Sequence, residues 1–269
     1  MKNLKTGQFF GVTNQLVRLN NLTLTDTEYT HEKVDWHYHE NAYFTFILDG
    51  KIIEGNKKEI YQCTAGSLLF HNWQESHYNI KPKGFTRGFH IELEPCWFKQ
   101  YDIDTDTIQG SINIKDPEIK LQMYRIFRES KLADDSNKLV VDGLLTELFG
   151  LLTYSAKSTE DKKPHWVTAL KDKLNDIDNY DFTLSSLATE LNIHPVHLSR
   201  QFSKHFNCHL GEYIRKVKIQ RSLSLISNKE LSLTDIAFKC GFADQSHFIR
   251  SFKMLNQVTP ARYRKLLQK

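Results

Sequence analysis

The chain has 269 residues, 40% hydrophobic and 25% charged, the composition of a globular protein long enough for two ordinary domains. Its four cysteines include no Cys-x-x-Cys pair, no uncharged apolar run reaches bilayer-spanning length, and the polar Met1–Lys5 start has no signal-peptide core. That argues against a zinc or redox motif, a membrane span and export, and a cytoplasmic protein with free thiols is expected. The formal charge of +4 is unevenly spread: residues 165–269 carry 16 Lys and Arg against 9 Asp and Glu, and residues 1–164 carry 20 against 23. A net +7 segment joined to a net −3 segment points to a polyanion partner for the C-terminal part.

In chain order, residues 1 to about 95 read as short strands. Phe44, Phe46 and Leu48 alternate with Tyr43, Thr45 and Ile47, and Asp49-Gly50 before Lys51–Gly55 is a hairpin signal. Further strand-like runs cover 59–63, 67–71 and 86–93, where Phe89, Ile91 and Leu93 alternate with His90 and Glu92. Many short strands at close spacing predict a sandwich or barrel. Asp116-Pro117 then starts a helix with Ile119, Met123, Ile126 and Phe127 on one face. Ser136 is placed to cap a second helix, whose broad apolar face includes Val141, Leu144, Leu145, Leu148 and Leu152. The polar stretch 155–164 reads as an interdomain connection, giving domains at 1–157 and 165–269 with a linker at 158–164. From His165 onward the pattern is helical.

That last region contains a repeat. Thr183-Leu184-Ser185-Ser186-Leu187-Ala188 resembles Ser232-Leu233-Thr234-Asp235-Ile236-Ala237, 49 positions on, while Leu198, Arg200 and Phe202 match Phe248, Arg250 and Phe252, 50 positions on. Each copy reads helix, tight turn, helix. Thr183 and Ser232 are hydroxyl N-caps, and Ala188 and Ala237 let a second helix cross closely. Asn192 and Gly241 suit a left-handed helix end. Pro195 and Asp244 suit the start of the second helices. Such a pair is the helix-turn-helix unit, whose second helix enters the major groove of DNA. A plain helical array would show more copies and would not require arginine at matched places.

With these residues in view, Ile236 to Lys253 resembles the signature of the AraC/XylS family of transcription regulators, and Thr259-Pro260-Ala261-Arg262-Tyr263-Arg264 resembles its closing motif. The resemblance covers roughly Trp166 to Leu267. The chain departs from the family pattern after each recognition helix, where Asn207 and Gln257 stand in place of glycine. The resemblance implies two recognition helices joined by a long connector at about 211–226. Its packing residues would be Ile214, Val217 and Leu225 and its polar ones Arg215, Lys216, Lys218 and Arg221. The implied base-reading positions are Val196, Ser199 and Arg200 in the first copy and Gln245, Ser246, Ile249 and Arg250 in the second. Arginine fits guanine, glutamine fits adenine, and apolar side chains fit the thymine methyl. Lys204, Lys253, Arg262, Arg264 and Lys265 are expected on phosphates, which position without specifying.

His37-Tyr38-His39, Gly50, Gly66 and His77 resemble the two cupin motifs of a small β-barrel. The expected fold class is therefore α+β with two domains: a cupin-like barrel with flanking helices, then an all-α domain with two helix-turn-helix units. Tyr43 occupies the place of the usual cupin glutamate, and Glu40, an odd number of steps away, should point to the other face. Hence no catalytic metal, no cofactor and no enzyme activity are expected, although three neutral imidazoles can hold a divalent ion. Trp36, His37, His39, Tyr43 and His77 are the candidate lining of an effector pocket. Leu144, Leu148 and Leu152 are the candidate contacts of a homodimer. The expected protein is a sequence-specific DNA-binding regulator. The resemblance implies an activator, contact with RNA polymerase and an effector-driven change in how the domains act. Two rivals stand beside it: a metal-dependent cupin enzyme fused to a DNA-binding domain, and a DNA-binding protein with no ligand, its barrel filled by its own side chains.

Overall fold

The structure is a computed structural model that describes residues 1–105, 108, 110–132, 137–157, 164–175 and 182–267, with backbone alone for 154–157. Ser136 and most of the expected linker, 158–163, lie outside the described residues. The chain divides into two compact units, residues 1–115 with 122–156, and residues 157–269 with 116–121.

The first unit holds β1 (Lys2–Leu4), β2 (Val12–Leu19), β3 (Leu22–Glu28), β4 (Lys33–His39), β5 (Ala42–Asp49), β6 (Lys51–Asn56), β7 (Ile60–Thr64), β8 (Leu68–His71), β9 (His77–Ile80), β10 (Arg87–Leu93) and β11 (Ser111–Asn113). Helix α1 (Pro95–Gln100) follows β10, and α2 (Pro117–Ser130) and α3 (Asn137–Lys157) follow β11. Among the described residues the strands form two sheets, ordered β1-β4-β9-β6-β7 and β11-β8-β5-β10-β3-β2. Ile47 and Leu69 of the larger sheet pack with Ile52, Tyr61 and Cys63 of the smaller, so the sheets face each other across a shared interior.

The larger sheet has two different faces. Phe44 and Phe46 of β5 and Phe89 of β10 meet Phe149, Tyr124 and Phe127 of the helices at ring-centroid distances of 5.6, 4.6 and 5.1 Å. Their strand neighbours Tyr43, Thr45 and His90 turn to the interior. Strand β5 is thus buried on both faces, and β8 and β10 take both its edges. This corrects the hairpin expected at Asp49-Gly50: β5 has no free edge for β6, which pairs with β7 and β9 in the other sheet. The turn moves the chain between sheets. Gly50 has φ +78°, and a Cβ there would lie 2.0 Å from the Phe85 carbonyl oxygen, so only glycine fits. Thr86 Oγ1 donates to the Lys51 carbonyl at 2.9 Å where a hairpin partner would sit.

The second unit is helical: α4 (His165–Leu174), α5 (Leu184–Glu190), α6 (Pro195–Phe206), α7 (Leu210–Leu225), α8 (Leu233–Lys239), α9 (Gln245–Asn256) and α10 (Pro260–Leu267). Thr183 accepts from the Ser186 N–H and Ser232 from the Asp235 N–H, each closing a reciprocal capping box. Asp244 accepts from the His247 N–H at 2.7 Å. Leu170, Leu174, Leu187, Ala188, Leu198, Phe202, Tyr213 and Val217 form one core around α5 and α6. The second copy has its own buried set, among them Ile236, Ala237, Phe248, Phe252 and Tyr263. Arg221, expected among the polar surface residues of the connector, is instead 8% exposed. The buried face of α7 runs Val217–Arg221 as well as Tyr213–Val217, because this helix is enclosed on more than one side.

Candidate functional site

Two sites emerge, one inside the first unit and one on the surface of the second. The interior of the barrel is polar. His37 and His39 alternate along β4 and so share a face, and His77 lies directly opposite His37 on β9. All three are 2% exposed. One ring nitrogen of each lies within 4.8 Å of the others. His37 Nδ1–H donates to the Asp35 carbonyl at 2.9 Å, and His77 Nδ1–H donates to the Glu75 carbonyl at 3.2 Å. In a neutral ring this leaves Nε2 as the acceptor, and Tyr43 Oη lies 3.0 Å from His77 Nε2. Burial pushes His77 down to about 3 and lowers His37 and His39 as well, because a charged imidazole loses its hydration there.

Around this trio stand Tyr29, Glu54, Asn79 and His90. Tyr29 Oη lies 2.7 Å from His90 Nε2, and Thr25 Oγ1 lies 3.2 Å from His90 Nδ1. Glu54 Oε1 lies 3.0 Å from His71 Nε2. Burial raises Glu54, yet the neighbouring His71 more than offsets it and the carboxyl settles at about 2. Burial pushes Glu92 up to about 7. Its Oε2 accepts from the Gly7 N–H, and its Oε1 lies 3.9 Å from His39 Nδ1. Phe9 stacks on His90 at 3.7 Å, and Phe10 packs edge-on to His37 at 5.1 Å. With these rings in place the cavity is about 20 Å³, room for about one water.

His37, His39, Tyr43 and His77 therefore line one cavity. Trp36 does not: it is 41% exposed and packs against Tyr78 on the outside of the smaller sheet. It lies between two inward histidine positions of a strand, so it faces outward. Glu40 stays out of the cavity and binds Lys5 Nζ and the Thr6 N–H. Glu54, His90, Glu92, Phe9 and Phe10 were missed. His90 and Glu92 alternate with Phe89, Ile91 and Leu93, which in isolation reads as polar-outside. Here the apolar side meets the helices and the polar side lines the barrel.

On the second unit, α6 and α9 each bury one stripe, Leu198 and Phe202 or Phe248 and Phe252. The opposite stripe of α6 exposes Val196, His197, Ser199, Arg200 and Lys204. That of α9 exposes Ser246, His247, Arg250, Lys253 and Met254, with Gln245 and Ile249 half-buried beside them. His197 and His247 occupy matched exposed positions that the sequence reading passed over, and the 50-residue displacement alone would have found them. Asn207 and Gln257 end these helices in the left-handed region, at φ 54° and 61°. Each adopts the backbone that glycine usually supplies.

Residues 187–266 match the helix-turn-helix domain family. The Msm operon regulatory protein of Streptococcus mutans is 24% identical over 93% of this chain and 95% of its own. The probable transcription factor PqrA of Proteus vulgaris is 34% identical over 32% of this chain and 70% of its own. The transcriptional activator RhaR of Mannheimia succiniciproducens is 23% identical over 85% of this chain and 86% of its own. The chain belongs to the AraC/XylS family. It is a DNA-binding transcription regulator, and these three relatives are named as regulators, in keeping with a non-enzymatic role.

Seen as an AraC-type domain, one assignment needs correcting. Arg264, expected on phosphate, is half-buried, and its Nε and Nη2 donate to the carbonyls of Ile226 and Leu231, each at 2.9 Å. It fastens the α7–α8 loop at both ends: the Ile226 carbonyl, at the C-cap of α7, has no next turn to satisfy it, and Leu231 directly precedes the N-cap of α8. Arg262 and Lys265 are exposed. In the first unit, Leu148 is fully buried and cannot meet a second copy, whereas Leu144 and Leu152 are half-buried. Its helix turns that side to the sheet. Among the described residues no helix is long and apolar enough to cross a membrane.

Proposed function

We propose that this regulator reads base edges with Val196, Ser199 and Arg200 of α6 and with Gln245, Ser246, Ile249 and Arg250 of α9. Lys204, Lys253, Arg262 and Lys265 meet phosphates. The observation that carries this is the pair of matched faces, with Arg200 and Arg250 exposed 50 residues apart on helices of the same type. A planar guanidinium fits the O6 and N7 of guanine, whereas a flexible ammonium acts as a point charge.

Transcription activation, through contact with RNA polymerase, is the proposed outcome, supported by the likeness to the activator RhaR. The barrel is proposed as the sensory part. A homodimer would use the outer face of α3, where Leu139 and Val140 are exposed beside half-buried Leu144. The cytoplasm, where the chromosome is, is the proposed location. The small size of the cavity favours a second reading of the barrel, in which no organic effector enters and the domain is switched by abundance or a partner protein.

Binding of the full chain to its cognate site and single-base variants, at several salt concentrations, tests the assignment. Arg200→Ala is expected to cost about 1–3 kcal/mol and relax specificity at one base pair. Lys253→Ala is expected to weaken all sequences alike and lower the salt slope by about one. If Arg200→Ala weakens every variant by the same factor, it positions rather than reads.

A further inference from the structure

Resting on the reading of α9 as a base-reading helix, we propose that Lys218 of the connector α7 is a positioning residue that sets how α9 is presented to DNA. The sequence places Lys218 among the polar residues of the connector, yet it is half-buried and reaches the second helix-turn-helix copy. Its Nζ donates to the Gly241 carbonyl at 2.5 Å and lies 5.8 Å from the centre of the Phe242 ring. Both of these residues belong to the turn between α8 and α9.

That turn is the place from which α9 can be aimed. Gly241 holds φ 74°, and the N–H groups of Gly241 and Phe242 return to the Phe238 and Ala237 carbonyls. The Gly241 carbonyl faces α7 instead. Three residues later Asp244 caps the first turn of α9 through the His247 N–H, so a fixed Gly241 carbonyl fixes where α9 begins. Phe242 carries the same constraint into the helix. It is 4% exposed and meets His247 at 5.4 Å and Phe248 at 5.3 Å. Phe248 anchors the buried stripe of α9, and His247 is exposed beside Ser246.

Two features separate positioning from the mere satisfaction of a polar group. Gly241 is half-buried, so water could serve its carbonyl, and what the ammonium adds is a direction. Lys218 also acts with Arg221, three residues on and hence on the same face of α7. Burial pushes the Cys240 thiol up to about 12, against the pull of the Arg221 and Lys218 charges. Both cations therefore stand at the C-terminal end of α8, where the helix dipole favours them. The first copy is braced by a weaker device. Lys173 of α4 meets Glu190 of α5 at 2.5 Å with both side chains partly open to solvent, and exposed pairs contribute little. Recognition residues keep their geometry only when a supporting shell locks them, and α7 supplies that shell to α9.

The test uses the full chain and a duplex that the parent selects from a random pool, with every single-base variant of that duplex, at several salt concentrations. Parent, Arg200→Ala, Arg250→Ala, Lys218→Met and Lys218→Arg are compared. Lys218→Met is expected to bind the selected duplex about tenfold more weakly, the scale of one charged hydrogen bond. It should lose discrimination at the base pairs that Arg250→Ala relaxes, keep it where Arg200→Ala loses it, and hold the parental salt slope. Lys218→Arg, which still donates, should restore most of the affinity. Even weakening of all variants overturns the proposal: with a slope lowered by about one, Lys218 holds a phosphate, and with a parental slope it only stabilises the fold. Parental binding by Lys218→Met overturns it too. Should Arg250→Ala relax no base pair, the base-reading assignment of α9 falls by itself. Lys218 is then judged by its own scan, in which a loss of discrimination confined to one block of base pairs supports it and an even loss counts against it. Should Lys218→Met not fold, Lys218→Gln is scanned under the same criteria.

Discussion

Arg264 illustrates how one residue type serves two ends within a single turn of α10. Its guanidinium is consumed by the Ile226 and Leu231 carbonyls, whereas Arg262 and Lys265 stay exposed. Arg264→Ala is therefore expected to lower stability by about 1–3 kcal/mol, the loss of two charged hydrogen bonds to half-buried loop carbonyls, and to leave the salt slope of DNA binding unchanged. Thermal unfolding beside a salt titration checks both, and a lowered slope at parental stability would return Arg264 to the phosphates. In the barrel, burial pushes His90 down from 6.5 to about 3. Its contribution to stability is fully present above pH 6.5. It is lost as pH falls toward 3, because the unfolded chain takes up the proton first. His90→Gln cannot charge, so its urea midpoint should fall less than that of the parent over that window. Equal slopes would mean that His90 is already protonated in the folded state.

At the scale of the element, both helix-turn-helix units begin conventionally and end unusually. Capping boxes at Thr183 and Ser232 open α5 and α8, and these were legible because a hydroxyl three residues before a polar partner is a local signal. Asn207 and Gln257 then hold left-handed backbone at the ends of α6 and α9. Asparagine tolerates this and glutamine does so less readily. Gln257→Gly is expected to stabilise the second unit by about 0.5–1 kcal/mol, the relief of the left-handed strain less the extra freedom of glycine when unfolded. A thermal melt of the variant decides, and a loss of stability would show that the Gln257 side chain contributes more than its backbone costs. The strands were harder to read. Alternation in β10 was visible, but nothing local says whether the polar side of a strand faces water or a polar cavity.

At the scale of the whole molecule, the basic C-terminal segment is expected to bind DNA by itself. Residues 165–269 contain both helix-turn-helix cores and a net charge of +7. The isolated fragment should bind duplex DNA with an affinity that falls steeply with salt. A folded fragment without affinity at low salt would place the missing contacts in the first unit. The duplicated motif, the charge asymmetry and the change from strands to helices were all determined by sequence, because each is a property of the linear order of residues and needs no pairing in space. The hairpin at Asp49-Gly50 was misread for the opposite reason. Which strand pairs with β5 is settled by the burial of both its faces, and that is a property of the assembled sheets. Likewise His37, His39 and Tyr43 were legible as a group near one turn, but His90 and Glu92 joined them only when β10 closed the barrel wall. Local order needs only backbone preference and periodicity, whereas an interior exists only once two sheets enclose it.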